Sequence, residues 1–359
     1  MVKKQKYNFK ISKIKISNVR VNFLNLISLG IFFIYFLYWY KAVSSLGGIN
    51  FSQSMEIYRN KMIFEGKNYI PTFINFLSKL CRAVAYVYLY IVLNNVISSK
   101  INNEKIKVKD YIYYIIGIVI YLPLSMMNGA RFDLILFFIY AVMLGIIIYM
   151  KSQNTKLKFD KILKIIILFL VIAFIFSISR TFVGRTSKQN FIDYFTQYFG
   201  GSIKIYDVYM QKEHIYNGVF GQELFSGIRK VLFQLGVISN RNVSKDIGTF
   251  IYDDNGKAIG NVYTAFRNMY HDFGYVGVFI FQIILAIVYN IFYYKILYKE
   301  VKEKNKIINM SIIIYAAISF CLYFHSYSEY FYCTILSFNY IVLFIMMYVV
   351  RYWLLKIKI

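Results

Sequence analysis

The sequence is short of the residues that punctuate, cross-link and ligate. Two prolines among 359 residues, set against 58% hydrophobic and 20% aromatic side chains, exclude an ordinary soluble composition. The three cysteines, Cys81, Cys321 and Cys333, lie in or beside apolar runs with no CxxC spacing and no histidine cluster. That argues against a zinc or redox centre and for plain packing. Acidic residues are also sparse, 17 Asp and Glu against 42 Lys and Arg. Asp253 and Asp254 sit in "YDDNGK", which is turn chemistry and not a twelve-residue calcium loop. There is no DxD-type nucleotide-sugar motif, no glycine-rich phosphate loop and no internal repeat of the kind transporters carry. No metal and no cofactor is expected.

What the sequence has is long apolar runs. Eight approach the roughly 20 residues needed to span hydrocarbon. They are Val21–Tyr40, Phe73–Ile97, Tyr111–Met127, Phe132–Met150, Ile162–Ile178, Phe273–Tyr294, Met310–Phe324 and Tyr332–Val350. The runs are continuous rather than alternating, which predicts helices and not a barrel. The expectation is an all-α polytopic membrane protein of about eight helices, a single integral membrane domain over residues 1–359. Residues 1–20 are mostly polar and basic, and no small-residue cleavage site follows the first run, so that run reads as a retained anchor.

The net charge of +25 does not point to nucleic acid, because the lysines occupy connections rather than one helical face. Every second connection is dense in cations: Lys3 to Arg20, Lys100 to Lys109, Lys151 to Lys164, Lys295 to Lys306, and Arg351 to Lys358. By the positive-inside rule these face the cytoplasm together with both termini. The sparse or long connections then face outward, including the segment 180–270 between the fifth and sixth runs. That segment has room for a re-entrant or amphipathic helix. The cytoplasmic loops are too short for a nucleotide-using domain, so chemistry is expected on the outer face.

Ionisable residues at a membrane edge are costly, and each is a functional candidate. In "NGARFD", Arg131 and Asp133 stand at a turn, where mutual pairing or snorkelling is the plainer reading. In "SISRTFVGR", Arg180 and Arg185 leave the fifth run, and planar guanidinium forks suit phosphate. In "YFTQYFGGSIKIYDVYM", Asp207 lies among aromatics that suit sugar faces and membrane interfaces alike. In "NVYTAFRNMYHDFGYVG", if Tyr263 to His271 is helical, Tyr263, Arg267, His271 and, less closely, Gly274 share one face, with Asp272 pointing elsewhere. His271 is able to take a proton near neutral pH, and Arg267 to hold an anion one turn away. In "HSYSEY", His325 and Glu329 are again four apart, as a shared outer cavity or a simple polar turn would have them.

The order "NGARFD", "SRTFVGR", "YFGGSIKIYD", a long segment and then "GNVYTAFRNMYHDFGYVGVFIF" resembles the Wzy-type oligosaccharide repeat unit polymerases of capsule and O-antigen synthesis. The likeness runs from about Gly47 to Tyr294, and "GNVYTAFRNMYHDFGYVGVFIF" is its most specific part. The resemblance implies a metal-independent membrane glycosyltransferase in a bacterial cytoplasmic membrane that joins undecaprenyl-diphosphate-linked oligosaccharides on the outer face. A chain-length regulator and a flippase are the protein partners it suggests, and the bilayer is its setting. On that reading Arg180, Arg185, Arg267 and Arg131 contact the diphosphate. His271, Asp272 or Glu329 is the base, and Asp207, Tyr263, Tyr270 and His325 meet sugar. A ligase acting on the same donor and a lipid-linked oligosaccharide flippase are the alternatives.

Overall fold

The apolar runs become helices in the computed structural model of the chain, which describes residues 12–63, 67–127, 132–153, 167, 191–211, 219–239, 251–252, 256, 258–298 and 307–355. Among the described residues six helices are long and apolar enough to cross a membrane: Asn18–Ser44, Thr72–Ile101, Val108–Met127, Phe132–Ser152, Ala265–Ile296 and Phe338–Leu355. The only strands described are a short antiparallel pair, β1 (Ile251–Tyr252) and β2 (Ala258–Gly260), with Ile251 opposite Gly260. This is the helix length and composition of a multi-pass membrane protein. Of the run Ile162–Ile178 only Ile167 is among the described residues.

Contacts gather in two compact units, residues 1–186 with 295–317 and 343–359, and residues 187–294 with 318–342. In the first, α1 (Asn18–Ser44), α3 (Thr72–Ile101), α4 (Ile112–Met127) and α5 (Phe132–Gln153) pack together, with the shorter α2 (Phe51–Ile63) against α1. Tyrosine is the usual joint. Tyr88 donates its hydroxyl to the Val21 carbonyl at 2.9 Å, and Tyr140 stacks on Tyr86 at 4.1 Å while donating to its carbonyl at 2.7 Å. A buried phenol needs such an acceptor, and interhelical hydrogen bonds replace the hydrophobic effect where lipid surrounds the bundle. Asp133 pairs with Arg82 of α3 at 3.2 Å, a partner that the neighbouring-residue expectation for Asp133 does not include.

The first described residues are held by side chains acting as a strand would. Asn95 receives the Ile14 N–H at 2.7 Å and donates to the Ile14 carbonyl at 2.9 Å, while Asn94 donates to the Ser12 carbonyl at 3.0 Å.

The second unit contains α6 (Phe191–Met210), α7 (Ser226–Gln234), the β1–β2 pair, most of α8 (Ala265–Tyr298) and the segment from Ile318 to Val342. Within residues 180–270, where the sequence left room for a re-entrant or amphipathic helix, α6 and α7 are the helices described before α8. Helix α8 starts earlier than the apolar run and is discontinuous: Gly274 has φ 62° and ψ −160°, outside any helical region. Beyond that break, Tyr275, Phe279, Ile283, Ile287 and Ile291 form an exposed apolar stripe four residues apart, as lipid contact requires.

Two expected spans differ in detail. The run Met310–Phe324 is an apolar helical stretch, Met310–Tyr323, divided at Ser319 into α9 (Met310–Ile318) and α10 (Phe320–Tyr323). The hydroxyl of Tyr289 takes the Ile318 carbonyl at 2.6 Å, and the Leu322 N–H bonds Ser319 instead, so the helical ladder is interrupted there. The run from Tyr332 opens as a wide π turn, Phe331–Ile335, and α11 spans Phe338–Leu355. Both oxygens of Glu329 accept backbone N–H groups at the head of that turn, from Tyr332 at 2.9 Å and Cys333 at 2.7 Å.

Candidate functional site

The first half of α8 carries a cluster of ionisable side chains, Arg267, His271 and Asp272. Thr264 supplies the carbonyl for the Arg267 N–H at 3.2 Å, and the Ala265 N–H is received by the His325 carbonyl at 3.0 Å, so the helix start is fixed. Arg267 and His271 then fall one turn apart on the same face, as their spacing requires. Tyr263 precedes the helix, yet its ring lies 4.3 Å from the Arg267 guanidinium carbon. Arg267 and His271 thus share a helical face, and Tyr263 joins Arg267 from outside the helix.

What faces them is a residue that sequence reasoning passed over. Glu223, fully buried, sits in the turn Gly221–Phe225, with Arg267 Nη1 2.8 Å from Oε2 and Nη2 donating to Oε1 at 3.1 Å. The Nη2 contact is a hydrogen bond and the Nη1 contact a close ion pair, and burial strengthens the attraction between the two charges. The guanidinium is also 4.8 Å from the ring of Tyr209 near the end of α6, so two aromatic faces flank it. Tyr209 closes the circle, with its Oη 2.8 Å from His271 Nδ1, while His271 Nε2 stands 3.7 Å from Glu223 Oε1.

Asp272 enters the same cluster from the other side of α8. It points away from the Arg267 face, as the spacing predicts, and its carboxylate accepts the N–H of Glu223 at 3.0 Å and of Leu224 at 2.8 Å. It thereby holds the turn that presents Glu223. Asn268 donates toward the Glu223 carbonyl at 3.5 Å and to Cys333 Sγ at 3.3 Å, and the Cys333 thiol donates to that carbonyl at 3.2 Å. Helix α7 approaches the π turn closely enough that a Cβ at Gly227 would lie 2.2 Å from the Cys333 carbonyl oxygen. Only glycine fits there.

The other candidates are distributed differently. His325 and Glu329 do not face one another. His325 Nε2 lies 2.7 Å from the Gln282 amide nitrogen, and Glu329 caps the π turn. Burial lowers the His325 pKa and raises that of Glu329, the latter against its backbone hydrogen bonds. Asp207 is exposed on α6 and receives Gln211 Nε2 at 3.2 Å. Tyr270 packs edge-on to Tyr275 at 4.9 Å beside the cluster of Ile205, Tyr209 and Tyr263. Arg131, Arg180 and Arg185, and the Asp253–Asp254 pair, lie outside the described residues.

The sequence held a weak signal for Glu223. It is a lone acid between glutamine and leucine in "GVFGQELFSG", in a chain with few acids, and a carboxylate in such a setting needs a cation. Tyr209 offered none, being one of 36 tyrosines. Chemically the assembled group can hold a guanidinium in a fixed plane, orient an imidazole and carry a proton between a phenol and that imidazole. No protein-family profile, no curated protein and no solved structure matches the chain.

Proposed function

We propose that the chain is a membrane glycosyltransferase that polymerises undecaprenyl-diphosphate-linked oligosaccharide units on the outer face of a bacterial cytoplasmic membrane. The growing chain is the donor, its lipid diphosphate leaves, and a sugar hydroxyl of the incoming unit attacks. Eight spans with both termini cytoplasmic, a chain-length regulator and a flippase as partners belong to the same proposal.

The observation that carries it is the buried cluster of Arg267, Glu223, His271 and Tyr209 at the head of an apolar helix. Such groups are expensive at a membrane edge and serve chemistry that separates charge. A glycosyl–diphosphate bond needs a cation for its leaving group and a base for its nucleophile, and the donor is already activated. In this proposal Arg267, with Glu223 as its resting counter-ion, joins Arg131, Arg180 and Arg185 at the diphosphate. Both Asp272 and Glu329 are committed to backbone donors, which favours His271 over them on the proton path. Tyr263, Tyr270, Asp207 and His325 complete the proposed sugar contacts.

One observation favours a second reading. A helix broken at mid-course, as at Gly274, is a habit of transporters, so a flippase for the same lipid-linked sugar is retained, and a ligase would use the same donor.

The test is the purified protein with lipid-diphosphate-linked repeat units in detergent, with EDTA and without nucleotide. Ladders of product support polymerisation, and transfer of a single block to another acceptor supports the ligase. Translocation in vesicles without new bonds overturns the enzyme reading. Arg267→Lys keeps the charge and loses the fork, and it is expected to insert normally and lose most activity. Full activity in that variant removes Arg267 from the diphosphate.

A further inference from the structure

We infer that Tyr209 is the group that meets the attacking hydroxyl and takes its proton, with His271 as the base behind it and Glu223 as the positioning residue behind His271. The inference rests on the polymerase reading and adds to it a residue that the reading does not require.

The order of atoms carries it. Tyr209 Oη is 2.8 Å from His271 Nδ1, a full hydrogen bond. The other ring nitrogen, Nε2, is 3.7 Å from Glu223 Oε1, too long for a hydrogen bond and well within charge range. A carboxylate oxygen there attracts an N–H and repels a lone pair, so the neutral imidazole carries its proton on Nε2. Nδ1 is then the acceptor, and the phenol donates to it. The basic atom of His271 is thus covered by Tyr209, and a substrate hydroxyl reaches it through the phenol.

The surroundings hold the phenol in place. The Arg267 guanidinium carbon stands 4.8 Å from the Tyr209 ring. The ring itself is fixed, edge-on to Tyr263 at 5.8 Å and packed with Ile205. Glu223 is fixed twice, by the Arg267 fork at its carboxylate and by Asp272 at its backbone. The order carboxylate, imidazole, hydroxyl is that of a triad, with the carboxylate here acting through charge at 3.7 Å and not through a hydrogen bond.

In the step proposed, the acceptor hydroxyl gives its proton to Tyr209 Oη as the phenolic proton moves to His271 Nδ1. The hydroxyl oxygen bonds the anomeric carbon while the bond from that carbon to the diphosphate oxygen breaks, and the diphosphate leaves with the electron pair. The imidazolium, balanced by Glu223, then returns its proton to the departing diphosphate or to water.

The test has two arms on the full chain. In the first, the protein is labelled with nitrogen-15 histidine in lipid nanodiscs, and the His271 signals are identified by their loss in His271→Gln, since the chain has 3 histidines. The expected spectrum of the unaltered protein shows a proton on Nε2 and a hydrogen-bonded acceptor at Nδ1, and Tyr209→Phe shifts the Nδ1 signal. A proton on Nδ1 in the unaltered protein, or an Nδ1 signal indifferent to Tyr209→Phe, overturns the inference. In the second arm, Tyr209→Phe is expected to lower kcat in the ladder assay by about 100-fold or more with KM little changed, the size of an acid–base contribution. A phenylalanine variant at full rate overturns it. Absence of ladders from the unaltered protein defeats the polymerase reading and removes Tyr209's substrate, while the histidine spectrum still decides the Tyr209–His271–Glu223 arrangement.

Discussion

Arg267 grips Glu223 with both terminal nitrogens, at 2.8 Å and 3.1 Å, across 44 residues of sequence. Both side chains are buried, at 2% and 0% exposure, so neither charge has water to fall back on. Removing one partner strands the other. Glu223→Ala is therefore expected to cost about 3–5 kcal/mol, whereas Glu223→Leu combined with Arg267→Met recovers most of the loss. Denaturant titration in mixed micelles measures both, and a double variant no better than the single one would mean that the pair is not the source of the cost.

Asp272 acts through the backbone of the same turn. Asp272→Ala removes the acceptor altogether and leaves the buried N–H groups of Glu223 and Leu224 without it, at about 1–3 kcal/mol. Because the turn presents Glu223, activity falls as well. A thermal melt and a ladder assay on the one variant should move together.

Two groups give opposite responses to pH. The Gln282 amide nitrogen can only donate to His325 Nε2, which requires a neutral ring, and burial lowers the His325 pKa below its ordinary 6.5. Between those values the unfolded chain holds the extra proton. This contribution is full above 6.5 and is lost as pH falls toward the lowered value. Glu329 has its pKa raised above the ordinary 4.5 by burial, so the folded chain holds the extra proton there. Its contribution is full below 4.5 and is lost as pH rises through the raised value. Chemical denaturation against pH should lose the first slope in His325→Gln and the second in Glu329→Gln.

Gly274 holds a backbone conformation, φ 62° and ψ −160°, that is essentially closed to side chains. Gly274→Ala is expected to cost about 1–3 kcal/mol and to turn the Arg267–His271 half of α8 off its partners. Activity should fall more than membrane insertion, which protease protection of the inserted chain reports.

In the first unit, Tyr88→Phe removes one interhelical hydrogen bond and no packing. The cost expected is about 0.6 kcal/mol and at most about 1.7 kcal/mol. Denaturant titration decides it, and ladder formation should be unchanged.

The apolar runs made most of the helices legible, because length and composition alone set the need to satisfy backbone groups in lipid. Where the helices depart in detail from the runs, a side chain intervenes. Tyr289 takes the Ile318 carbonyl and splits one run, and Glu329 caps a π turn and delays another. Spacing also found the shared face of Arg267 and His271. It could not find Glu223 or Tyr209, because periodicity relates residues within one element and these partners lie on others. His325 and Glu329 follow the polar-turn alternative: being four apart pairs side chains only on a helix, and residues 325–330 form turns and irregular backbone.

The asparagines of α3 carry a consequence of another kind. Asn95 grips the N–H and the carbonyl of Ile14, and Asn94 the carbonyl of Ser12, so they read main chain and not side chains. Evolution is then at liberty to rewrite the exposed residues of that leading strip, provided it stays extended and keeps an apolar residue at the buried position 14. The two asparagines themselves have no comparable latitude.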